Sequence, residues 1–396
     1  MRNEATIDFV RQHREDDVRT LALKARRDDV DWPWALDQIQ GWQTARHKLP
    51  SWAATPGIVY PPHLSMEQCS SEATAGYKCS IIGRWPREER KTLIDLTGGF
   101  GVDFAFLAPH FHRAVYVERQ EHLCLAARHN FQVLGLGHAQ VVCDDAGAVL
   151  QQLAVEPSST LLYLDPARRD SNSNRTRDIA HCTPNVLDLL PDLFKAARRV
   201  LVKLSPMLDW HKAVRDLGDH VAEVHIVSVA GECKELLILL EADHQGEPTV
   251  HCVNDDQRLI YTPSQYSTTP SIATDARFTF LYEPNAAVMA AGCFGVLTQR
   301  FPVAAIARDS HLFVSGEEIT DFPGRRFAID STTTMNRKEL AHALKNIAKA
   351  NIAVRNFPMT AQQLRRRLRL TDGGETYIFG TTTAAGQHRL YLCHKQ

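Results

Sequence analysis

The chain has 396 residues, and its 45 Lys and Arg against 46 Asp and Glu leave a formal net charge of −1. No global field therefore draws it to nucleic acid or to a membrane surface. With 44% hydrophobic residues it has the composition of a soluble globular protein of about two to four domains.

No apolar run approaches the ~20 residues of a membrane span, and the opening MRNEATIDFVRQHRED lacks the apolar core of a signal peptide. The nine cysteines are scattered and none forms a C-x-x-C pair. That usage fits a reducing, cytoplasmic setting and predicts neither a disulfide framework nor a metal. Residues 1–62 read as a small amphipathic helical domain with Trp32, Trp34, Trp42 and Trp52 as apolar anchors, either core or a stacking surface. Pro50, Pro56, Pro61 and Pro62 break that pattern into a connector.

In residues 63–82, HLSMEQCSSEATAGYKCSII, Ser65 and Gln68 have the spacing of a capping box. The segment reads either as a capped surface helix or as a cover across the mouth of a site. From residue 91 the chain alternates. Residues 92–96 (TLIDL) form an apolar run ending in an acid. Gly98, Gly99 and Gly101 follow, and then a helix from Val102. Strand, glycine turn and helix N-terminus make either an ordinary tight turn or a place where a ligand meets backbone without a Cβ in the way. Further strands are expected at 114–118 (AVYVE), 139–143 (AQVVC), 160–164 (TLLYL), 199–204 (RVLVKL), 221–229 and 234–241, with helices between them, including one at 148–153. Repeated βα units of this length predict an α/β fold built on a doubly wound, Rossmann-like sheet, with ligands at the carboxyl ends of its strands.

Those ends are acidic. Glu118 stands where a ribose-binding acid is expected, Asp144 or Asp145 can accept from an adenine amine, and Asp95 lies under the glycine turn. A nicotinamide dinucleotide would need G-x-G-x-x-G/A, but counted from Gly99 and Gly101 the third small position is Phe104. A ligand with adenine and ribose but no phosphate fits better, and S-adenosylmethionine (SAM) is such a ligand.

The succession DLTGGFGVD, AVYVE, CDDA and YLDPARRD resembles the motifs of class I SAM-dependent methyltransferases. The blocks YPPHLSMEQCSSEATAGYK, VKLSPMLD, GECKELL, YEPNAAVMAAG, HLFVS and FPGRRF extend the likeness from about residue 50 to the C-terminus. Over that length the chain resembles the bacterial methyltransferase family with a C-terminal THUMP-like domain. The resemblance implies a class I methyltransferase sheet at 63–245, a ferredoxin-like α+β module at 246–324 and a THUMP-like domain at 325–396. It also implies SAM as cofactor and RNA as the suspected substrate and partner. By motif position, Asp95, Thr97, Gly98, Gly99 and Gly101 would hold the methionine end of SAM, Glu118 the ribose, and Asp144 or Asp145 the adenine. Thr97 stands where many class I enzymes have glycine, and its hydroxyl would bond the cofactor or cap the turn.

Asp165 and Pro166 match the Asp/Asn-Pro-Pro-aromatic edge of amino-methyltransferases, with Ala167 and Arg168 in place of the second proline and the ring. Asp165 would orient a base amine or ring nitrogen. Arg168 and Arg169 would stack on a base or pair with phosphate, or else bridge to Asp170 or Asp178. Lys203, at the end of the fifth strand, would meet substrate or neutralise Asp165. Cys182 lacks the setting of a carbon-methylating nucleophile and reads as structural, as does His181 unless it serves as a base. Glu232, Lys234 and Glu235 are expected to pair with one another or with the cleft arginines. The transfer is in-line and needs no metal.

Residues 245–270 read as a polar linker with a strand or two. From Phe278 a compact α+β pattern follows, in which FLYEPNAAVMAAG and LTQRF share one helix. Arg365, Arg366, Arg367 and Arg369 cluster on the last helix, joined by Arg355, Arg325 and Arg326. This is either a solvated face or a phosphate footprint for RNA. The competing functions are methylation of a small molecule or protein, and a non-catalytic SAM-sensing RNA-binding protein.

Overall fold

The computed structural model describes residues 3–23, 27–167, 178–274 and 278–396. The chain forms two compact units, Met1–Ala222 with Glu235–Gly246, and Glu223–Lys234 with Glu247–Gln396.

The first unit opens with helices α1 (Glu4–His13), α2 (Val18–Ala22), α3 (Trp32–Lys48) and α4 (Pro50–Ala54). Asn3, Asp17 and Asp31 cap the first three by accepting from the backbone N–H of Thr6, Thr20 and Trp34, which satisfies donors the helix itself cannot. Trp32 packs on Phe9 at 4.9 Å and Trp52 on Phe100 at 4.9 Å, so both are core. Trp42 is half-buried and has the guanidinium groups of Arg14 and Arg46 over its ring.

Next come α5 (His63–Gln68) and α6 (Glu72–Ile82). The expected Ser65 cap is not formed. Pro62 lacks an N–H and starts α5 earlier, placing Ser65 inside the helix, and Ser71 caps α6 instead. Helix α6 is no surface helix, because Thr74, Ala75, Lys78, Ile81 and Ile82 are buried.

The βα units follow as β1 (Thr92–Asp95), α7 (Val102–Leu107), β2 (Arg113–Glu118), α8 (Glu121–Val133), β3 (Ala139–Cys143), α9 (Ala146–Gln152), β4 (Thr160–Leu164), α10 (Val186–Ala196), β5 (Arg199–Leu204) and α11 (Trp210–Leu217). The chain continues through β6 (Val221–Val229), a turn with positive φ at Ala230 and Gly231, and β7 (Glu232–Glu241). Helix α9 starts two residues before the expected 148 because Asp145 caps it through Gly147 N–H. In the first unit the strand order is β3-β2-β1-β4-β5-β7, parallel except for β7, which runs antiparallel to β5. Leu93, Ile94, Val115, Val117, Leu161, Leu162, Val200 and Val202 are buried, as the continuous apolar runs of a parallel sheet covered on both faces require. The connections diverge between β1 and β4, which opens a crevice at their carboxyl ends.

In the second unit β6 pairs in parallel with β8 (Thr249–Asn254), and β8 pairs antiparallel with β9 (Gln257–Tyr261). The strand or two expected within 245–270 are thus β8 and β9. After it come β10 (Phe280–Pro284), α12 (Ala286–Ala291), α13 (Phe294–Arg300), β11 (Ala304–Ala305), β12 (Phe313–Ser315), β13 (Gly324–Thr334), α14 (Arg337–Ala343), β14 (Asn351–Arg355), α15 (Ala361–Leu368), β15 (Thr376–Thr382) and β16 (His388–Lys395). These strands form one sheet, ordered β11-β12-β10-β13-β16-β15-β14. Helices α12 and α13 replace the single expected helix, because Gly292 takes a left-handed conformation (φ 67°) that ends α12. Among the described residues no helix is long and apolar enough to cross a membrane.

Candidate active site

The glycine turn is built from below by aromatic rings. A Cβ on Gly98 would lie 2.1 Å from the Tyr116 ring, and one on Gly101 (φ 86°) would lie 2.9 Å from Phe131. Phe104 packs against both rings and is fully buried. These two glycines therefore make room for the protein's own side chains. Gly99 (φ 54°) differs, since its Cβ would meet nothing closer than Thr97 O at 3.8 Å. It is the position in the turn where backbone faces open space.

Backbone bonds hold the turn to β2. Gly98 N–H donates to Val117 O at 2.8 Å, and Tyr116 O–H donates to Gly99 O. The Glu118 carboxylate accepts from Gly99 N–H at 3.0 Å through Oε2 and from Gln120 N–H at 2.8 Å through Oε1. It is 8% exposed and braces the turn through both oxygens. Asp144 Oδ1 accepts from Asp145 N–H at 2.7 Å, and Asp145 Oδ1 from Gly147 N–H at 2.8 Å. Both acids are exposed at the carboxyl end of β3. Asp95 is buried and accepts from Thr97 N–H at 2.9 Å. Burial pushes its carboxyl well above the usual carboxylate range, and the nearby acids Asp103, Asp165 and Glu118 push the same way.

Thr97 is a brace, since its Oγ1 accepts from Asp165 N–H at 2.6 Å and ties β1 to the end of β4. Lys203 Nζ donates to Asp165 Oδ2, so the neutralising role expected of it is the one observed. The Asp165 side chain keeps 37% of its exposure, while Pro166 is buried. Burial raises the Asp165 carboxyl above its usual range against the pull of Lys203. Burial would lower the Lys203 ammonium, but Asp165, Asp103 and Glu235 outweigh it and raise it. Arg168, Arg169 and Asp170 lie outside the described residues. Asp178 pairs with Lys212 at 3.1 Å, and Cys182 is buried.

Sequence reasoning missed the group beneath this edge. Asp103, in the first turn of α7, accepts through Oδ2 from Tyr163 O–H at 2.7 Å and Ser70 Oγ–H at 2.8 Å. Its Oδ1 lies 3.0 Å from Lys78 Nζ, and Lys203 Nζ lies 3.8 Å from Oδ2. Lys78 is fully buried and also contacts Glu235 Oε2 at 2.5 Å. Glu235, Lys78, Asp103, Lys203 and Asp165 thus form a chain of alternating charge from α6 and β7 to the exposed acid. Burial opposes ionisation of Asp103, but Lys78 and Lys203 dominate and lower it to about 2. The one available signal was the polar density of residues 63–82. Glu235 does not join its neighbours, which pair as Glu232–Lys234 at 2.6 Å.

In the second unit Arg366, Arg367 and Arg369 are exposed, and Arg365 pairs with Asp372. Arg325 and Arg355 do not belong with them. Both neutralise Glu283, whose side chain is 5% exposed, and Arg326 pairs with Glu318 at 3.3 Å. A buried carboxylate claims nearby cations before solvent or a ligand can.

Comparison with known proteins gives two family matches, "THUMP domain-like" over residues 324–395 and "ferredoxin-like domain" over 280–323. No curated protein matches. The crystal structure of a candidate methyltransferase from Porphyromonas gingivalis W83 is 30% identical with TM-score 0.85, and the alignment covers 99% of this chain and 97% of that one. An rRNA methylase from Streptococcus thermophilus is 16% identical with TM-score 0.30, covering 39% of this chain and 87% of that one. A Streptococcus mutans protein solved with SAH is 17% identical with TM-score 0.29, covering 38% and 88%.

Proposed function

The chain belongs to the class I methyltransferase family that carries a C-terminal THUMP-like domain, and from that premise we propose that it methylates a base amine or ring nitrogen of RNA, with SAM as methyl donor. One observation carries the cofactor reading. Acids stand at the strand ends around the crevice (Asp95, Glu118, Asp144, Asp145 and Asp165), and the Asp95 carboxyl is raised by its burial first and then by the neighbouring Asp103, Asp165 and Glu118. A cationic ligand relieves that repulsion, whereas the pyrophosphate of a dinucleotide would add to it. The residues fit SAM in their donors and acceptors as well. Gly99 leaves room for close approach, Glu118 can accept from a ribose diol, and Asp144 or Asp145 from an adenine amine.

SAM would supply an electrophilic methyl group. The protein's work is then positioning and water exclusion. Lys203 occupies Asp165 Oδ2, and among the described residues Oδ1 is left to accept from the target N–H and aim the nitrogen lone pair. Thr97 fixes the Asp165 backbone beside the glycine turn. Arg168 and Arg169 would contact the base or its phosphate. The charge chain through Asp103 and Lys78 holds Lys203, and so Asp165, in place. In the second unit Arg366, Arg367 and Arg369, with Arg365 once released from Asp372, would meet RNA phosphates.

The test uses purified full chain, tritiated SAM and total RNA from cells lacking this gene. The reading expects label in RNA with the native protein and none with Asp165→Ala, and nucleoside digestion would name the base. SAM binding without label in RNA would move the substrate to a protein or small molecule. Activity unaffected by Asp165→Ala would place the catalytic edge elsewhere.

A further inference from the structure

The second unit gathers three metal-ligating side chains on one face of a two-strand ladder. Glu223 and His225 are two residues apart on β6, so they point to the same side of the sheet. His251 on β8 is the register partner of His225. The two imidazoles stack, with centroids 4.4 Å apart and ring planes at 26°. Their Nε2 atoms face one carboxylate oxygen, Glu223 Oε2, at 2.8 Å from His225 and 3.7 Å from His251. One ligand atom from each residue lies within 4.8 Å of the other two. His225 and His251 are 1% and 8% exposed.

The geometry points to a binding site for one divalent first-row transition ion, Zn2+ above all, held by Glu223, His225 and His251. In a tetrahedral zinc site with bonds near ~2.1 Å, neighbouring ligand atoms stand about 3.4 Å apart. The two nitrogen-to-oxygen separations here straddle that spacing, so small side-chain rotations would complete the site. Two imidazoles and a carboxylate are the donor set of zinc and non-haem iron centres, and they disfavour the all-oxygen preference of Mg2+ or Ca2+. The ligands come from paired strands rather than loops, so the site is held rigidly. Three protein ligands leave a fourth position for water or another small ligand. The inference does not depend on methyl transfer, since none of the three residues takes part in it.

The test takes the full chain, stripped with a chelator under reducing conditions and titrated with Co2+. The expected result is one equivalent bound with nitrogen and oxygen ligand-field bands, no thiolate-to-cobalt charge-transfer band, and displacement by Zn2+. Glu223→Gln and His251→Gln should each weaken binding by about tenfold or more. Zn2+ should raise the unfolding midpoint of the native chain and not that of either variant. If His251→Gln fails to fold, Glu223→Gln, at a side chain 21% exposed, decides alone. No saturable binding, a thiolate signature from the cysteines, or binding unchanged in the folded variants would overturn the proposal.

Discussion

Lys78 Nζ stands 3.0 Å from Asp103 Oδ1, with the lysine wholly shut away from solvent and the carboxylate 9% exposed. Neither charge would be tolerated there alone, and each is paired a second time, with Glu235 and Lys203. The ion chain is therefore cooperative: removing one member strands the next.

Lys78→Met is expected to destabilise the protein by about 3–5 kcal/mol, because Glu235 would remain buried without Lys78 and Asp103 would keep only Lys203 at 3.8 Å. Denaturant unfolding checks this. A double variant, Lys78→Met with Glu235→Gln, should recover part of the loss, and no recovery would mean that the two do not act as a pair.

The turn glycines should separate by role. Gly98→Ala drives a methyl into the Tyr116 ring and should cost about 1–3 kcal/mol of stability. Gly99→Ala meets no neighbour and pays mainly for its positive φ, about 1–2 kcal/mol. Its larger effect should be on SAM affinity, since its Cβ would stand in the open part of the crevice. Thermal melts and calorimetric SAM titrations of both variants distinguish the two effects, and equal loss of affinity at equal stability would contradict the assignment.

Glu118→Gln is expected to keep the fold, because an amide oxygen can still accept from Gly99 or Gln120 N–H. It should weaken SAM binding about tenfold, as the charged acceptor for the ribose diol is lost. Glu118→Ala is a poorer probe, since it also abandons both backbone donors. Unchanged affinity in Glu118→Gln would remove the ribose assignment.

The pH dependence of stability should have two parts. Asp95 has its folded-state carboxyl raised, so the unfolded chain loses that proton first and stability falls as pH rises from the ordinary carboxylate range near ~4 toward the folded value. Asn at this position keeps the oxygen that accepts from Thr97, so Asp95→Asn should stabilise the ligand-free protein at neutral pH and flatten this slope. Asp103 is lowered to about 2, so its stabilisation is fully present above the ordinary range and is lost as pH falls from ~4 through about 2. Chemical denaturation from pH 2 to 8 tests both. A destabilised Asp95→Asn at neutral pH would contradict the raised Asp95 carboxyl.

Much of the first unit was legible in advance, because parallel strands buried on both faces must be continuous apolar runs and their ends must turn toward a ligand or a helix. The expected ends of β3, β4 and β5 coincide with those observed, and Glu118, Asp144 and Asp165 stand at strand ends as read. The errors arose where a residue has two possible roles. Ser65 carries a capping pattern that Pro62 overrides, and the close approach of aromatic rings to Gly98 and Gly101 was not foreseen. Arg325 and Arg355 looked like part of a basic face until Glu283 was found buried between them.

Local chemistry was enough to place the strands, the glycine turn and the acids beside it, because period, turn residues and strand length act over a few neighbours. It was not enough for Lys78 with Asp103 and Glu235, or for Glu223 and His225 with His251. Those groups lie on elements far apart in the chain, and no spacing rule links them. They meet only because particular strands and helices become neighbours, and burial then makes each charge or lone pair depend on the partner the fold supplies.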